Sequence, residues 1–441
     1  MARPALHARP AATAATAATW RFSLGLATIM CGQPIGWGIR GQFIGGDSPV
    51  LPGLVVILGL MLMVQPEWIV RGRLYAAPTA VAVPACLLLM PLMALSLLAP
   101  AAIVGATFAY AIVIVAILAM LAMTPGERMS RFPEAVILVG TISSAVPLAQ
   151  LAIGGAAKAF FRLAINGNDN TLITGSIGGM TVIAGLVVGL GSSGGFGWGL
   201  GAAAGAVTGL IAMLLTNTRS DLGMLIVCVL LFLGLIRARV VRNSGRGGMG
   251  AQAAAFTAVF ATGALMAPLA ATVVLGPALF KSVIERSWDR VLGVLALVDS
   301  GGGGTVDDST LSRAQLLRQI WHGLSAGGAG YMAQANASGD PNLYPHLSYA
   351  QAFYDLGFIG GATYLVVALV IPAGLITLRL ADGALSRSEA LVILLFVYSQ
   401  GDQLAHGTPY SWQTQISIVM VFALLGRRRP LPTRTVALLP A

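Results

Sequence analysis

Three side chains stand out for the chemistry they could do together. Arg219 lies in Thr216-Asn217-Thr218-Arg219-Ser220, Arg313 in Leu311-Ser312-Arg313, and His346 just ahead of the apolar run that opens at Tyr349. Arginine keeps its charge and grips phosphate oxygens in a bidentate fork. Histidine can take up a proton near neutral pH. Arginines plus a histidine at one site suit transfer chemistry on a diphosphate-linked lipid, because cations steady a departing diphosphate while a base helps the acceptor attack. Each residue also has a plainer reading. Arg219 can cap a helix or reach toward headgroups, Arg313 can sit on the solvated face of a loop helix, and His346 can make a structural hydrogen bond. Arg286, Arg290 and Arg318 read first as loop charges, although Arg290, Arg318 and Tyr349 are kept as candidate substrate contacts. His322 and His406 read as structural, and Asp402 with His406 forms a weaker second pair.

Composition says what must position these residues. Hydrophobic residues make up 56% of the 441-residue chain and charged residues 10%, against about 25% charged in a soluble domain. Mean hydropathy is +0.83. A soluble fold has to cover itself with polar groups, so the solvent for this chain is lipid, where helices satisfy their own backbone hydrogen bonds. Apolar runs of spanning length recur at about 20–38, 50–65, 76–96, 101–123, 134–154, 174–191, 197–215, 221–236, 251–275, 349–378, 389–401 and 413–426. The expected fold is all-α and polytopic, with about twelve membrane helices and one long outer loop. The stretch 174–210 reads either as one hairpin or as a re-entrant pair, since small residues around its Gly-rich break allow close helix contact.

The chain divides accordingly. Residues 1–19 are Ala/Thr/Pro-rich and lack an apolar core of their own, so they read as a disordered cytoplasmic tail rather than a cleaved signal peptide. Residues 20–275 hold helices one to nine, 276–348 the loop, 349–426 helices ten to twelve, and 427–441 a second cytoplasmic tail. Basic residues give an independent handle on sidedness. With the N-terminus inside and strict alternation, most of the 26 Lys and Arg fall in inner loops, among them Arg71, Arg73, Arg128, Arg131, Arg237, Arg239, Arg379, Arg387 and Arg427. Both termini are then inside, in a cytoplasmic (bacterial inner) membrane, and Arg219, Arg313 and His346 share the outer face.

The net charge of +10 is explained by those inner loops. Nucleic acid is not an expected partner, because no basic patch is interleaved with aromatics. Cys31, Cys86 and Cys228 form no CxxC pair, and no H-x-x-x-H or H-E-x-x-H is present, so no disulfide framework, metal or other cofactor is expected. In the long loop, Leu311, Leu316, Leu317, Ile320, Trp321 and Leu324 recur at helical spacing and predict an amphipathic helix on the membrane surface or across the mouth of the bundle.

In this order and spacing the pattern resembles the bacterial O-antigen ligase and O-antigen polymerase superfamily, multi-span glycosyltransferases of the C type. Four stretches carry the resemblance: Thr216-Asn217-Thr218-Arg219-Ser220 opening a span; the long late outer loop; Ser312-Arg313, then Trp321 and the turn Gly327-Gly328-Ala329-Gly330-Tyr331; and His346 followed by Tyr349, Asp355, Gly357 and Gly360. Leu347 stands where the family usually has a polar neighbour, and Ser220-Asp221 where a glycine is usual. The resemblance spans roughly 205–380. It implies that Arg219 and Arg313 contact the diphosphate of an undecaprenyl-diphosphate-linked glycan and that His346 is the general base or positioning group near the acceptor hydroxyl. It also implies inverting, metal-independent transfer to another glycan or to a lipid A core. A secondary transporter or polysaccharide flippase is the alternative, since twelve spans with both termini inside is a common transporter layout. Against it, no half-to-half repeat is visible and charge gathers at the outer edge.

Overall fold

A computed structural model describes residues 9–36, 50–65, 68, 75, 101–152, 171–191, 195–216, 219–238, 249–275, 328–330, 347–383, 385–405 and 412–427. They form α1 (Arg9–Cys31), α2 (Val50–Met63), α3 (Ala101–Ala122), α4 (Phe132–Ala152), α5 (Thr171–Gly191), α6 (Gly195–Thr216), α7 (Arg219–Arg237), α8 (Met249–Leu275), α9 (Ser348–Leu365), α10 (Ile371–Ala381), α11 (Arg387–Ala405) and α12 (Trp412–Met420). A 3-10 turn, Gly126–Met129, precedes α4, and π-helical turns Val366–Val370 and Val421–Leu425 follow α9 and α12. The described residues contain helices and no sheet. Five stretches are long and apolar enough to cross a membrane: Gly126–Gln150, Thr174–Gly191, Phe196–Thr216, Ser220–Arg237 and Ser348–Ala381. The expected run at 76–96 and the loop 276–346, apart from the turn 328–330, lie outside the described residues. Helix α1 begins at Arg9, inside the stretch expected to be a disordered tail. Its AATAATAAT segment is rich in alanine, the best helix former.

Helix α5 is the axis of the bundle. Its span is 94% buried, and it packs against α4, α6, α7, α8 and α11. Glycine makes this possible. A Cβ on Gly178 or on Gly209 would lie 2.5 Å from the other residue's carbonyl oxygen, so α5 and α6 touch backbone to backbone. Gly205 faces the Thr141 hydroxyl of α4, and Gly185 faces Ala202 and Ala206. Threonine hydroxyls turn back on their own helices, buried Thr181 donating to the Ile177 carbonyl at 2.7 Å and half-buried Thr141 to the Ile137 carbonyl at 2.6 Å. The 174–210 stretch is therefore a hairpin of two full-length helices. Gly178→Leu has no flexible neighbour to displace and is expected to destabilise the protein by about 1–3 kcal/mol or more. Gly223→Leu, which points into open space, is expected to leave the thermal midpoint in detergent unchanged.

The helices have two chemically distinct ends. At one, arginines and buried carboxylates interlock. Glu134 accepts from Arg387 Nη1 at 2.9 Å and from Arg131 Nη1 at 3.4 Å. Glu389 accepts from Arg379 Nε at 2.8 Å. Arg427 donates to the carbonyls of Ala423 and Leu121, both at 2.8 Å; burial pushes its guanidinium down to about 10, with Glu389 pulling the other way, so it stays charged at neutral pH. Trp20 stacks on Trp198 at 5.9 Å, with the Arg131 guanidinium 5.8 Å from the Trp20 ring. Such tryptophan and arginine pairs suit a membrane–water boundary. The opposite end carries amides and hydroxyls.

Candidate functional site

The site at that opposite end is built on a reversal in α9. Gly357 breaks the helix with φ 73° and ψ 179°, a conformation open essentially only to glycine. The rings of Tyr349 and Tyr364 meet with centroids 5.9 Å apart, although a straight helix would separate these residues by about 22 Å. The arm 348–356 therefore folds back beside the helix that follows, with Phe353 against Phe358 at 5.9 Å and Gly361 seated under Phe353. The sequence predicts one continuous span over 349–378; the structure corrects it to an arm, a reversal and a span.

A second backbone turn locks the reversal. Gly328 and Gly330 have φ of 74° and 100°. Ala329 N–H donates to the Tyr354 carbonyl at 2.9 Å and Gly330 N–H to the Asp355 carbonyl at 3.0 Å. These are the orphan carbonyls of the arm's last turn, so the 328–330 turn caps the arm. A Cβ on Gly328 would meet Gly357 N at 2.5 Å and the Leu356 carbonyl carbon at 2.6 Å. Two glycine-bearing stretches separated by some two dozen residues in the chain thus interlock.

The arm buries Ser348, Gln351, Ala352 and Asp355, one face at helical spacing. Gln351 donates to Asp355 Oδ2 at 3.3 Å. The end of α11 joins it. Tyr349 Oη donates to Gln400 Oε1, and Tyr364 Oη donates to Gln403 Oε1 at 3.0 Å. Gly401, between these glutamines, packs on Met224 of α7. One turn before Met224, Asp221 is buried and accepts from Ser176 Oγ of α5 at 3.4 Å. Helices α11 and α12 run antiparallel and are pinned by Ser399 and Ser417, whose hydroxyls are 2.6 Å apart. Gln403 lies one helical turn after Ser399 and Gln413 one turn before Ser417.

Several of these groups are buried without a hydrogen-bond partner among the described residues: Nε2 of Gln400, Gln403 and Gln413, and the hydroxyls of Ser348, Thr414, Thr174 and Ser220. Each such group costs about 1–3 kcal/mol if left unmatched.

Of the residues singled out in the sequence, Arg219 is the first residue of α7, at this end of the bundle, with its side chain outside the described set. Tyr349 is half-buried and bonded to Gln400. His346, Arg313, Arg318 and Arg290 lie outside the described residues, although Leu347 and Ser348, which follow His346, open the arm. No group of three metal-ligating side chains occurs among the described residues. Sequence reasoning passed over Gln400, Gln403 and Gln413, and noted Asp221 only as a departure from the family pattern. The available signal was chemical: three glutamines inside or beside apolar runs, where an unpaired amide is expensive. No protein-family model matches this chain, and no curated protein matches it.

Proposed function

We propose that this protein is a membrane glycosyltransferase of the O-antigen ligase or polymerase type, which takes glycan from an undecaprenyl-diphosphate carrier on the outer face of the bacterial inner membrane. The observation that carries this reading is the meeting, at the end of the bundle opposite the arginine-rich one, of three of the four stretches that resemble the family. The start of α7 with Arg219, the 328–330 turn and the 347–357 arm are linked there through Gln400 and Gly401 of α11. Positive charge marks the cytoplasmic side, so the meeting point belongs outside, where a lipid carrier presents its glycan. Alternation of the described helices between the two ends suits twelve spans with both termini inside.

In this mechanism Arg219 and Arg313 stabilise the negative charge that grows on the departing diphosphate. His346 accepts the proton of the acceptor hydroxyl, whose oxygen attacks the anomeric carbon from the face opposite the leaving group. The carbon–oxygen bond to the diphosphate breaks, configuration inverts, and the lipid diphosphate leaves with the bonding pair. No metal or cofactor enters the scheme. Arg219→Ala, Arg313→Ala and His346→Ala, each checked for normal membrane level, are expected to cut glycan transfer at least about a hundredfold, the scale of losing one transition-state contact or a positioned base. Surface polysaccharide of normal length and attachment in all three would sink the reading. A polymerase defect leaves single repeat units, and a ligase defect leaves long glycan on its carrier.

A further inference from the structure

We infer that an anionic phospholipid binds at the arginine-rich end, with its phosphate on Arg131 and an acyl chain along the strip of α4 left open between α1 and α6. This is independent of the transferase reading. Helices α1 and α6 each pack along α4. Ile137 and Thr141 of α4 meet Gly205 of α6. Next round the helix come Leu138 and Ile142, which are 43% and 55% exposed. Arg131 heads the same stripe, at the spacing i, i+7, i+11. There the two flanking helices join: Trp20 of α1 stacks on Trp198 of α6, and the Arg131 guanidinium lies 5.8 Å from the centre of the Trp20 ring. Arg131 and Trp198 each lie near the start of a stretch long and apolar enough to cross a membrane, Gly126–Gln150 and Phe196–Thr216. That is the depth at which hydrocarbon gives way to headgroups.

Charge selects the headgroup. Arg131 Nη1 reaches Glu134 Oε1 at 3.4 Å, but that oxygen already accepts from Arg387 at 2.9 Å. Two guanidiniums share one carboxylate, so one positive charge is left over. Exposed Glu127 is offset by Arg128 in the same 3-10 turn. The Arg131 side chain is 40% exposed. Its place beside the Trp20 ring orients the guanidinium and leaves N–H groups to grip phosphate oxygens in a fork. A zwitterionic headgroup brings a cation of its own to this site. A free phosphate has nothing to lay on Leu138 and Ile142. A lipid with a net negative phosphodiester uses both the arginine and the apolar strip below it.

The full chain in a neutral detergent is titrated with dioleoyl phosphatidylglycerol, dioleoyl phosphatidylcholine and glycerol 3-phosphate. Bound lipid is counted by native mass spectrometry, and each sample is melted. Phosphatidylglycerol is expected to stay bound to wild type and raise its melting temperature, phosphatidylcholine to bind about tenfold more weakly, and glycerol 3-phosphate to change nothing. Arg131→Gln is expected to bring phosphatidylglycerol down to the level of phosphatidylcholine. Leu138→Trp keeps every charge and stands at an exposed position, so it obstructs the strip without repacking the core; it is expected to weaken both lipids. Leu58→Trp, at a position of α2 that is 54% exposed, is expected to weaken neither. If Arg131→Gln does not fold, Leu138→Trp against Leu58→Trp carries the test alone. The inference is overturned if the two lipids bind wild type alike, if glycerol 3-phosphate matches phosphatidylglycerol (a phosphate site without an acyl chain), or if Leu58→Trp costs as much binding as Leu138→Trp (unselective annular lipid only).

Discussion

Gly328→Ala is expected to destabilise the end of the bundle opposite the arginine-rich one by about 2–6 kcal/mol and, on the transferase reading, to remove glycan transfer with it. Two costs combine. Gly328 has φ 74°, where a Cβ costs about 1–3 kcal/mol. The same Cβ would press on three backbone atoms, the Asp355 carbonyl oxygen, Gly357 N and the Leu356 carbonyl carbon, and backbone cannot step aside as a long side chain can, which adds about 1–3 kcal/mol. Gly330→Ala separates the two terms: its φ is 100° but a Cβ there meets nothing within 4 Å, so only the conformational cost applies. Gly357→Ala strikes the other half of the lock. Because Gly328 and Gly357 touch, their effects are expected to be strongly non-additive in a double-mutant cycle. Thermal melts in nanodiscs compare the three single variants and the Gly328/Gly357 double variant with wild type. A Gly328→Ala protein as stable as wild type would mean that the turn does not cap the arm.

Glu389→Ala is expected to cost about 3–5 kcal/mol and to leave little folded protein in the membrane. Glu389 serves two elements at once. Its Oε1 receives Arg379 Nε at 2.8 Å, and the ion pair is buried, the two side chains being 12% and 9% exposed. Its Oε2 receives Ser386 N–H at 2.7 Å while its own N–H donates to Ser386 Oγ at 3.2 Å. That reciprocal pair is a capping box, and it starts α11, the helix that later presents Gln400 and Gln403. Alanine uncaps α11 and leaves Arg379, 12% exposed, with only the solvent-exposed Asp382 as its ionic partner, the costly way to break a buried pair. Asp382 offers the contrast. It also bonds Arg379, at 3.1 Å, but is 51% exposed, so Asp382→Ala is expected to cost under about 1 kcal/mol. Equal losses for the two variants would contradict this assignment.

Much of the architecture was legible from residue order. The predicted runs at 50–65, 101–123, 134–154, 174–191, 197–215, 221–236, 251–275 and 413–426 fall on helices within a few residues, because spanning length and apolarity are properties of a short window. The capping box Ser386-x-x-Glu389 was equally open to reading, being a local signal. The helical start at Arg9 was hidden because alanine and threonine are neither strongly apolar nor charged, and helix propensity there outweighs the pull toward disorder.

The amino-acid sequence by itself determined that this chain is helical and rich in spans suited to lipid, since hydropathy acts over short stretches; its grouping of Arg219, Arg313 and His346 on one face is an expectation, and of these only the backbone of Arg219 falls among the described residues. Tertiary structure decided the rest. The reversal at Gly357 needs the 328–330 turn to cap it. The pairing of Tyr349 with Gln400 joins residues half a hundred positions apart. The pinning of α11 to α12 joins Ser399 to Ser417 across a turn between helices. A glutamine in an apolar run reads as an expensive exception, and only the packing of α9 against α11 shows that Gln400 and Gln403 each meet a tyrosine hydroxyl there.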